Sequence, residues 1–404
     1  MLKTFVSRSR LFLQDRRGNV AMMFGLCIVG VAGMAGLAVD YSAQQSATAR
    51  LQSAVDNVAL SLARDARVNG PGQTQKRATR MLAAALGAKK IPGVTISAVY
   101  VDGNPGRFDV KASGKLNSAF GGIFGIKKME VAADASVPVV VPSVEVALVL
   151  DNTGSMNSLN KLTELKNAAT ALVSTLQQAA VKYGTSAKIA LVPFATHVNI
   201  GKSHSSASWL DWSGYAGNTV TWTGCVADRD QPLDVDNSKP TAVVTTHYPV
   251  ADCGTDPLVP LTANYSGLTS AIANLTANGA TNVTIGMAWG LNMLTPGAPL
   301  SAAAPAGTAY LNRYMILLTD GMNTQNRWTN DPVQIDARLT QMCTTTKNAG
   351  IKVFTIRVIE GNEPLLQSCA SDASMYKSIT TASELTPTFL NIGKQIMTSI
   401  YLGN

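Results

Sequence analysis

The run "NVAMMFGLCIVGVAGMAGLAV", residues 19–39, contains no charged side chain, and the first one after it is Asp40. At about 1.5 Å per residue it is long enough to cross a hydrocarbon core of roughly 30 Å. The apolar region of a cleaved signal peptide is usually about 7 to 15 residues, so this longer run reads as a retained transmembrane helix over residues 19–40. Residues 1–18 form a basic segment, with Lys3, Arg8, Arg10, Arg16 and Arg17 against Asp15 alone. Basic flanks stay on the cytoplasmic side, which keeps the N-terminus inside and sends everything after Asp40 out. Of the 404 residues only 14% are charged and 46% are hydrophobic, a balance that fits a membrane-attached or secreted protein rather than a disordered one. Part of the net charge of +8 sits in the leading segment. The remainder has no basic stripe of the kind nucleic acid requires.

The cysteines agree with that orientation. Cys27 lies in the apolar run and reads as a small hydrophobe. Cys225, Cys253, Cys343 and Cys369 would stand in an oxidising space, where four thiols permit three pairings. Proximity in sequence favours Cys225 with Cys253 and Cys343 with Cys369; four buried free thiols are the alternative.

Beyond the anchor, Ala43, Ala47, Leu51, Ala54, Val58 and Leu62 recur at spacings of three and four up to "NGPG", so anchor and stalk read as one helix. A second helix in "QTQKRATRMLAAALGAKK" precedes three alternating strands, "VTISAVYV", "RFDVKASGKL" and "MEVAADASVPVVV". Residues 41–142 are therefore a helical stalk with a small α+β region. From residue 143 to 404 strands alternate with helices, which predicts an α/β domain with a mostly parallel sheet and helices on both faces. An insertion at about 201–263 breaks this rhythm and holds Trp209, Trp212, Tyr215, Trp222 and Tyr248 beside Cys225 and Cys253. It reads as a disulfide-stapled segment whose aromatics fill their own small core, the alternative being a binding surface.

Two strands of this domain end in acids. "VEVALVL" runs into Asp151, with Thr153 and Ser155 in the loop that follows; "RYMILLT" runs into Asp320; and Thr281 opens a helix between them in sequence. Ligand sites of such sheets lie beyond the carboxyl ends of the strands. Taken alone, Asp151, Thr153 and Ser155 could equally cap a helix. Together the two carboxylates and three hydroxyls form an all-oxygen set suited to a hard divalent cation, Mg²⁺ or else Mn²⁺ or Ca²⁺.

The motifs "DNTGSM", "GATN" and "TDG", in this order over about residues 143–404, resemble the three loops of a von Willebrand factor A domain with its metal-ion-dependent adhesion site. The resemblance implies that Thr153 and Ser155 bind metal through their hydroxyls and that Thr281 joins them in one conformational state. Asp151 and Asp320 would act partly through water, and an open coordination position would accept a partner's carboxylate. The N-terminal part, "DRRGNVAMMFGL" and "GLAVDYSAQQSATARLQSAVDNVALSLA", is similar to TadE/TadG-like bacterial pilus assembly proteins. A TadG-like protein joins such an anchor to a periplasmic von Willebrand A domain. Met22 and Met23 stand where related pseudopilins place Glu, so the resemblance does not extend to peptidase processing after Gly18.

The combined expectation is a single-pass protein of the bacterial inner membrane with its main domain in the periplasm. It would serve the Tad (Flp) pilus assembly or secretion machinery without catalysis, its partners being pilus assembly or envelope proteins that present a carboxylate. An adhesin gripping an external ligand is the alternative, while topology and cysteines speak against a partner subunit of a cytoplasmic ATPase. The only histidines are His197, His204 and His247, and the sequence has no G-x-S-x-G, H-E-x-x-H or P-loop motif. It gives hydrolysis no support.

Overall fold

The computed structural model describes residues 18–87, 91–103, 105–140 and 142–402. The basic residues Lys3, Arg8, Arg10, Arg16 and Arg17, on which the expected orientation rests, lie outside them. The chain divides into two compact units, Met1–Val140 and Val141–Asn404.

The first unit opens with one uninterrupted helix, α1 (Gly18–Asn69), so the apolar run and the stalk are continuous. By length and composition it holds a stretch able to cross a membrane. Its two halves differ in packing. Phe24, Leu26, Val29, Val31 and Met34 are exposed, whereas Leu51, Val55, Val58, Ala59 and Leu62 are buried. That buried stripe packs with Ala78 and Leu82 of α2 (Thr74–Leu86) and with Phe108, Val110 and Val131 of an antiparallel sheet. The sheet comprises β1 (Thr95–Val101), β2 (Gly106–Asn117) and β3 (Lys128–Val139) in that order.

The second unit begins with β4 (Ser143–Asp151), α3 (Lys161–Tyr183) and β5 (Ala187–Phe194). The short strands β6 (Val198–Asn199), β7 (Leu210–Asp211), β8 (Cys225–Val226) and β9 (Tyr248–Ala251) follow, then β10 (Val259–Thr262) and two helices, α4 (Tyr265–Ala273) and α5 (Val283–Leu294). Next come β11 (Leu311–Thr319), α6 (Pro332–Asn348), β12 (Lys352–Val358), α7 (Glu363–Cys369), β13 (Tyr376–Ile379) and α8 (Leu385–Leu402). The main sheet is ordered β10-β5-β4-β11-β12-β13, parallel except for the edge strand β10. This is a doubly wound α/β sheet, the arrangement that the von Willebrand A resemblance implies.

Burial on both faces explains the unbroken apolar runs. Val144, Val146, Leu148 and Leu150 of β4 face Leu165 and Leu172 of α3, Ile272 of α4 and Phe389 of α8. Ala147 and Val149 face the other side, against α5, α6 and α7. Helix α5 sits close because two glycines one turn apart meet the sheet. A Cβ on Gly286 would stand 2.5 Å from Phe194 Cγ, and one on Gly290 would stand 2.5 Å from Val149 Cγ2. Gly290→Ala is therefore expected to cost about 1–3 kcal/mol by overpacking, measurable as a lower midpoint in urea at unchanged slope.

The insertion does not keep a core of its own. Trp222 is buried, and Trp209 and Tyr248 pack at a tilt against Trp289 of α5 at centroid distances of 6.2 and 4.8 Å. Its aromatics thus extend the α5 face of the sheet, because a segment with only two-residue and four-residue strands has too little apolar area to close on itself. The expected bridges are present, Cys225–Cys253 and Cys343–Cys369.

Candidate metal centre

In open α/β sheets the crevice lies where the strand order reverses, and here that point falls between β4 and β11. Leu150 pairs with Leu318 across these neighbours, so the next residues, Asp151 and Thr319, sit side by side and Asp320 follows at the tip. Chain direction thus brings together two acids that are far apart in sequence. Both are fully buried.

The loop after β4 turns back over them. Thr153 donates to Asp151 Oδ1 through its backbone N–H at 2.9 Å and its hydroxyl at 2.6 Å. Ser155, in a short 3₁₀ turn over Gly154–Asn157, donates to Asp320 Oδ1 at 2.6 Å. Thr319 donates to the other oxygen of Asp151 at 2.7 Å. The hydroxyls of Thr153 and Ser155 stand 3.0 Å apart, and since each has one proton, already directed at a carboxylate, their lone pairs face each other. Converging oxygen lone pairs beside two carboxylates fit a hard cation in their donor chemistry. Among the described residues no three His, Cys, Asp or Glu side chains form a metal-binding group; the set here rests on two acids and hydroxyls.

Lys161 was not foreseen as part of this cluster. Leu159 and Asn160 take positive φ of 53° and 60°, which turns the chain into α3 and aims Lys161 inward. Its ammonium meets Asp320 Oδ2 at 2.5 Å, with side chains 4% and 0% exposed. One ammonium against two carboxylates leaves the cluster short of positive charge. Burial first, and the Asp320 charge second, push the Asp151 carboxyl up to about 6, against the hydrogen bonds from Thr153 and Thr319. The sequence carried a signal for Lys161, because it lies four residues before Leu165 on the buried stripe of α3.

Thr281 is buried nearby but shares no hydrogen bond with the other four among the described residues. Its backbone N–H donates to Thr324 Oγ1 at 2.8 Å, and its carbonyl accepts from Thr324 N at 2.9 Å, on the loop after Asp320. Two residues earlier, the Gly279 carbonyl accepts from Gly154 N at 3.0 Å, which joins this loop to the one carrying Thr153 and Ser155. Asn282, the N-cap of α5, donates to both oxygens of Asp228 at 3.1 and 2.9 Å. Asp228 belongs to the insertion, and burial pushes its carboxyl up to about 6.

Residues 18–65 match the family model described as "Putative Flp pilus-assembly TadE/G-like". The sequence resemblance of the N-terminal helix holds over that span. No curated protein matches the chain. Among solved structures it is similar to the pilus adhesin SpaC from Lactobacillus rhamnosus GG, at 16% identity and a TM-score of 0.41, over 78% of this chain and 36% of that one. The vWF domain of the type V pili tip protein Mfa5 from Porphyromonas gingivalis matches at 14% identity and a TM-score of 0.42, over 65% of this chain and 97% of that domain. The pilus adhesin RrgA from Streptococcus pneumoniae matches at 12% identity and a TM-score of 0.36, over 75% of this chain and 49% of that one. The chain thus spans about a third of SpaC and about half of RrgA.

Proposed function

We propose that this chain is a membrane-anchored, non-enzymatic component of Tad (Flp) pilus assembly or secretion machinery, and that it binds an envelope partner through a divalent cation. The observation that carries the binding reading is the meeting of Asp151 and Asp320 at the reversal point of the sheet, bridged by Thr153 and Ser155. The TadE/G-like match and the long apolar helix support the anchor and the machinery. Asp151, Thr153, Ser155 and Asp320 would hold the ion, and it would supply an open position for a partner carboxylate. Thr281 would join when its loop shifts toward Ser155.

Calorimetric titration of the full chain in detergent with Mg²⁺ and Mn²⁺ tests this. Asp151→Ala removes a charge and should abolish detectable binding, whereas Thr281→Ala should weaken partner capture with a smaller loss of metal affinity, since water can replace a neutral oxygen. If the unmutated chain stays folded and binds neither ion, the reading fails.

A pH dependence follows from the raised Asp151 carboxyl. Protons compete with the ion, so metal affinity should fall about tenfold per unit below about pH 6. The metal-free protein moves the other way. A carboxyl at about 6 when folded and 3.8 when unfolded binds its proton more tightly in the folded state, so that stability is present below about pH 4 and is lost as pH rises through 6. The loss is of order 3 kcal/mol. Asp228 contributes with the same sign, so the measurement is the difference between the parent chain and Asp151→Asn. Parallel stability curves for the two across pH 4 to 7 would overturn it.

A further inference from the structure

The turn from β2 to β3 carries Phe120, Ile123, Phe124 and Ile126, which are 45%, 76%, 51% and 46% exposed. Contiguous apolar groups of this size on a surface tip mark an interaction site. The turn lies against the apolar half of α1. A Cβ on Gly33 would stand 2.6 Å from Phe124 Cζ, and one on Gly36 would stand 2.7 Å from Phe120 Cβ, so both rings rest on bare helix backbone. Gly33 is about two helical turns before Asp40, roughly 10 Å along the axis. Around it Phe24, Leu26, Val29, Val31 and Met34 are all exposed, and the turn continues that surface.

Much of the turn's backbone is satisfied within the protein. Asp40, only 4% exposed, accepts from Ser118 Oγ at 2.5 Å and from the N–H groups of Ala119, Phe120 and Gly121 at 2.9, 2.9 and 2.8 Å. Ile123 N donates to Phe120 O, Gly125 N to Gly122 O and Ile126 N to Gly121 O, at 3.2, 3.2 and 2.9 Å. Lipid-exposed non-helical backbone stays out of the hydrocarbon core, so this turn can reach the headgroup–acyl boundary, where apolar surfaces bury to a depth of about 5–10 Å. Lys127 and Lys128 follow at once and are exposed, placed to meet lipid phosphates at the rim.

We propose that residues 120–126 form a wedge that dips into the interfacial layer of the bilayer beside α1 and buries Phe120, Ile123, Phe124 and Ile126 at the headgroup–acyl boundary. This rests on reading residues 19–40 as the transmembrane helix. Asp40 would sit at the interface and fasten the wedge to that helix. A lone helix can rotate and tilt in a membrane; a second insertion point beside it fixes the heading of the first unit.

The test uses the full chain in vesicles of phosphatidylethanolamine and phosphatidylglycerol, with and without bromine on the acyl chains. Ile123→Cys in a Cys27→Ser background takes an environment-sensitive fluorophore, the remaining cysteines being bridged. Native Cys27 labelled in the parent chain reports the helix, and Val99→Cys on exposed β1 reports the aqueous side. The expected result is a blue shift and bromine quenching at positions 27 and 123 and neither at 99. Quenching at 27 with a red-shifted, unquenched probe at 123 would overturn the wedge and leave the anchor standing. A blue shift at 123 without quenching would mean that protein, a second copy or a partner, covers the turn, and it too would overturn the wedge. No quenching at either 27 or 123 would remove the anchor and the wedge together.

Discussion

Lys161→Met should lower the stability of the metal-free protein by about 3–5 kcal/mol, because it leaves the buried carboxylate of Asp320 without its counter-charge. Methionine keeps most of the apolar stem, so lost packing contributes little. The same substitution should raise affinity for Mg²⁺ or Mn²⁺, since the ammonium now occupies Asp320 Oδ2 at 2.5 Å and an incoming ion must share or displace it. A bound ion stabilises the folded state in proportion to the logarithm of its concentration over Kd, so divalent cations should restore much of the loss. Urea denaturation of the parent and Lys161→Met chains, each with EDTA and with Mg²⁺, reads both effects. Equal stability of the two chains in EDTA would show that the ion pair carries no weight. A loss that no divalent ion restores would remove the metal reading of the two acids.

That experiment turns on a residue the sequence reading passed over. Asp151 and Asp320 were legible because each ends an unbroken apolar run, and because strands alternating with helices imply a sheet whose carboxyl ends share an edge. Lys161 lies in register with the buried stripe of α3, but its residue type argues the other way. A lysine in the first turn of a helix reads as a solvated flank, and its partner lies 159 residues away in sequence. Thr319 was obscure for the opposite reason, as a hydroxyl within "ILLTD" looks like a strand residue until its neighbour strand brings it to Asp151. The insertion's aromatics were visible as a group, but Trp289, which they pack on, sits in α5 outside the segment. Asp40 read only as the first charge after the apolar run. Its four hydrogen bonds reach the turn at residues 118–121, a long-range pairing that no periodicity encodes.

Removing both disulfides should be more damaging than any single substitution considered above. Cys225–Cys253 and Cys343–Cys369 close loops with sequence separations of 28 and 26, and on the chain-entropy account each contributes about 3–4 kcal/mol. Losing both removes an amount comparable with the entire net stability of many domains, about 5–15 kcal/mol. The bridges also bear on the candidate centre. Cys343 on α6 and Cys369 at the end of α7 pack their sulfurs on Met287 Sδ of α5 at 3.7 and 3.8 Å. Helix α5 begins beside Thr281, and its cap, Asn282, is held by Asp228 of the segment that Cys225–Cys253 staples. The two bridges therefore meet on one helix, and their costs should couple rather than simply add. Cys343→Ala with Cys369→Ala should lower stability and loosen α5, which amide hydrogen exchange would read as faster exchange at residues 283–294. Adding Cys225→Ala and Cys253→Ala should prevent the folded chain from accumulating at about 37 °C. Mass mapping without reductant, on protein taken from the native membrane fraction, comes first. Four free thiols there would refute the stabilising role, and because such bridges persist in oxidising compartments, they would also remove the cysteine support for placing the domain outside the cytoplasm.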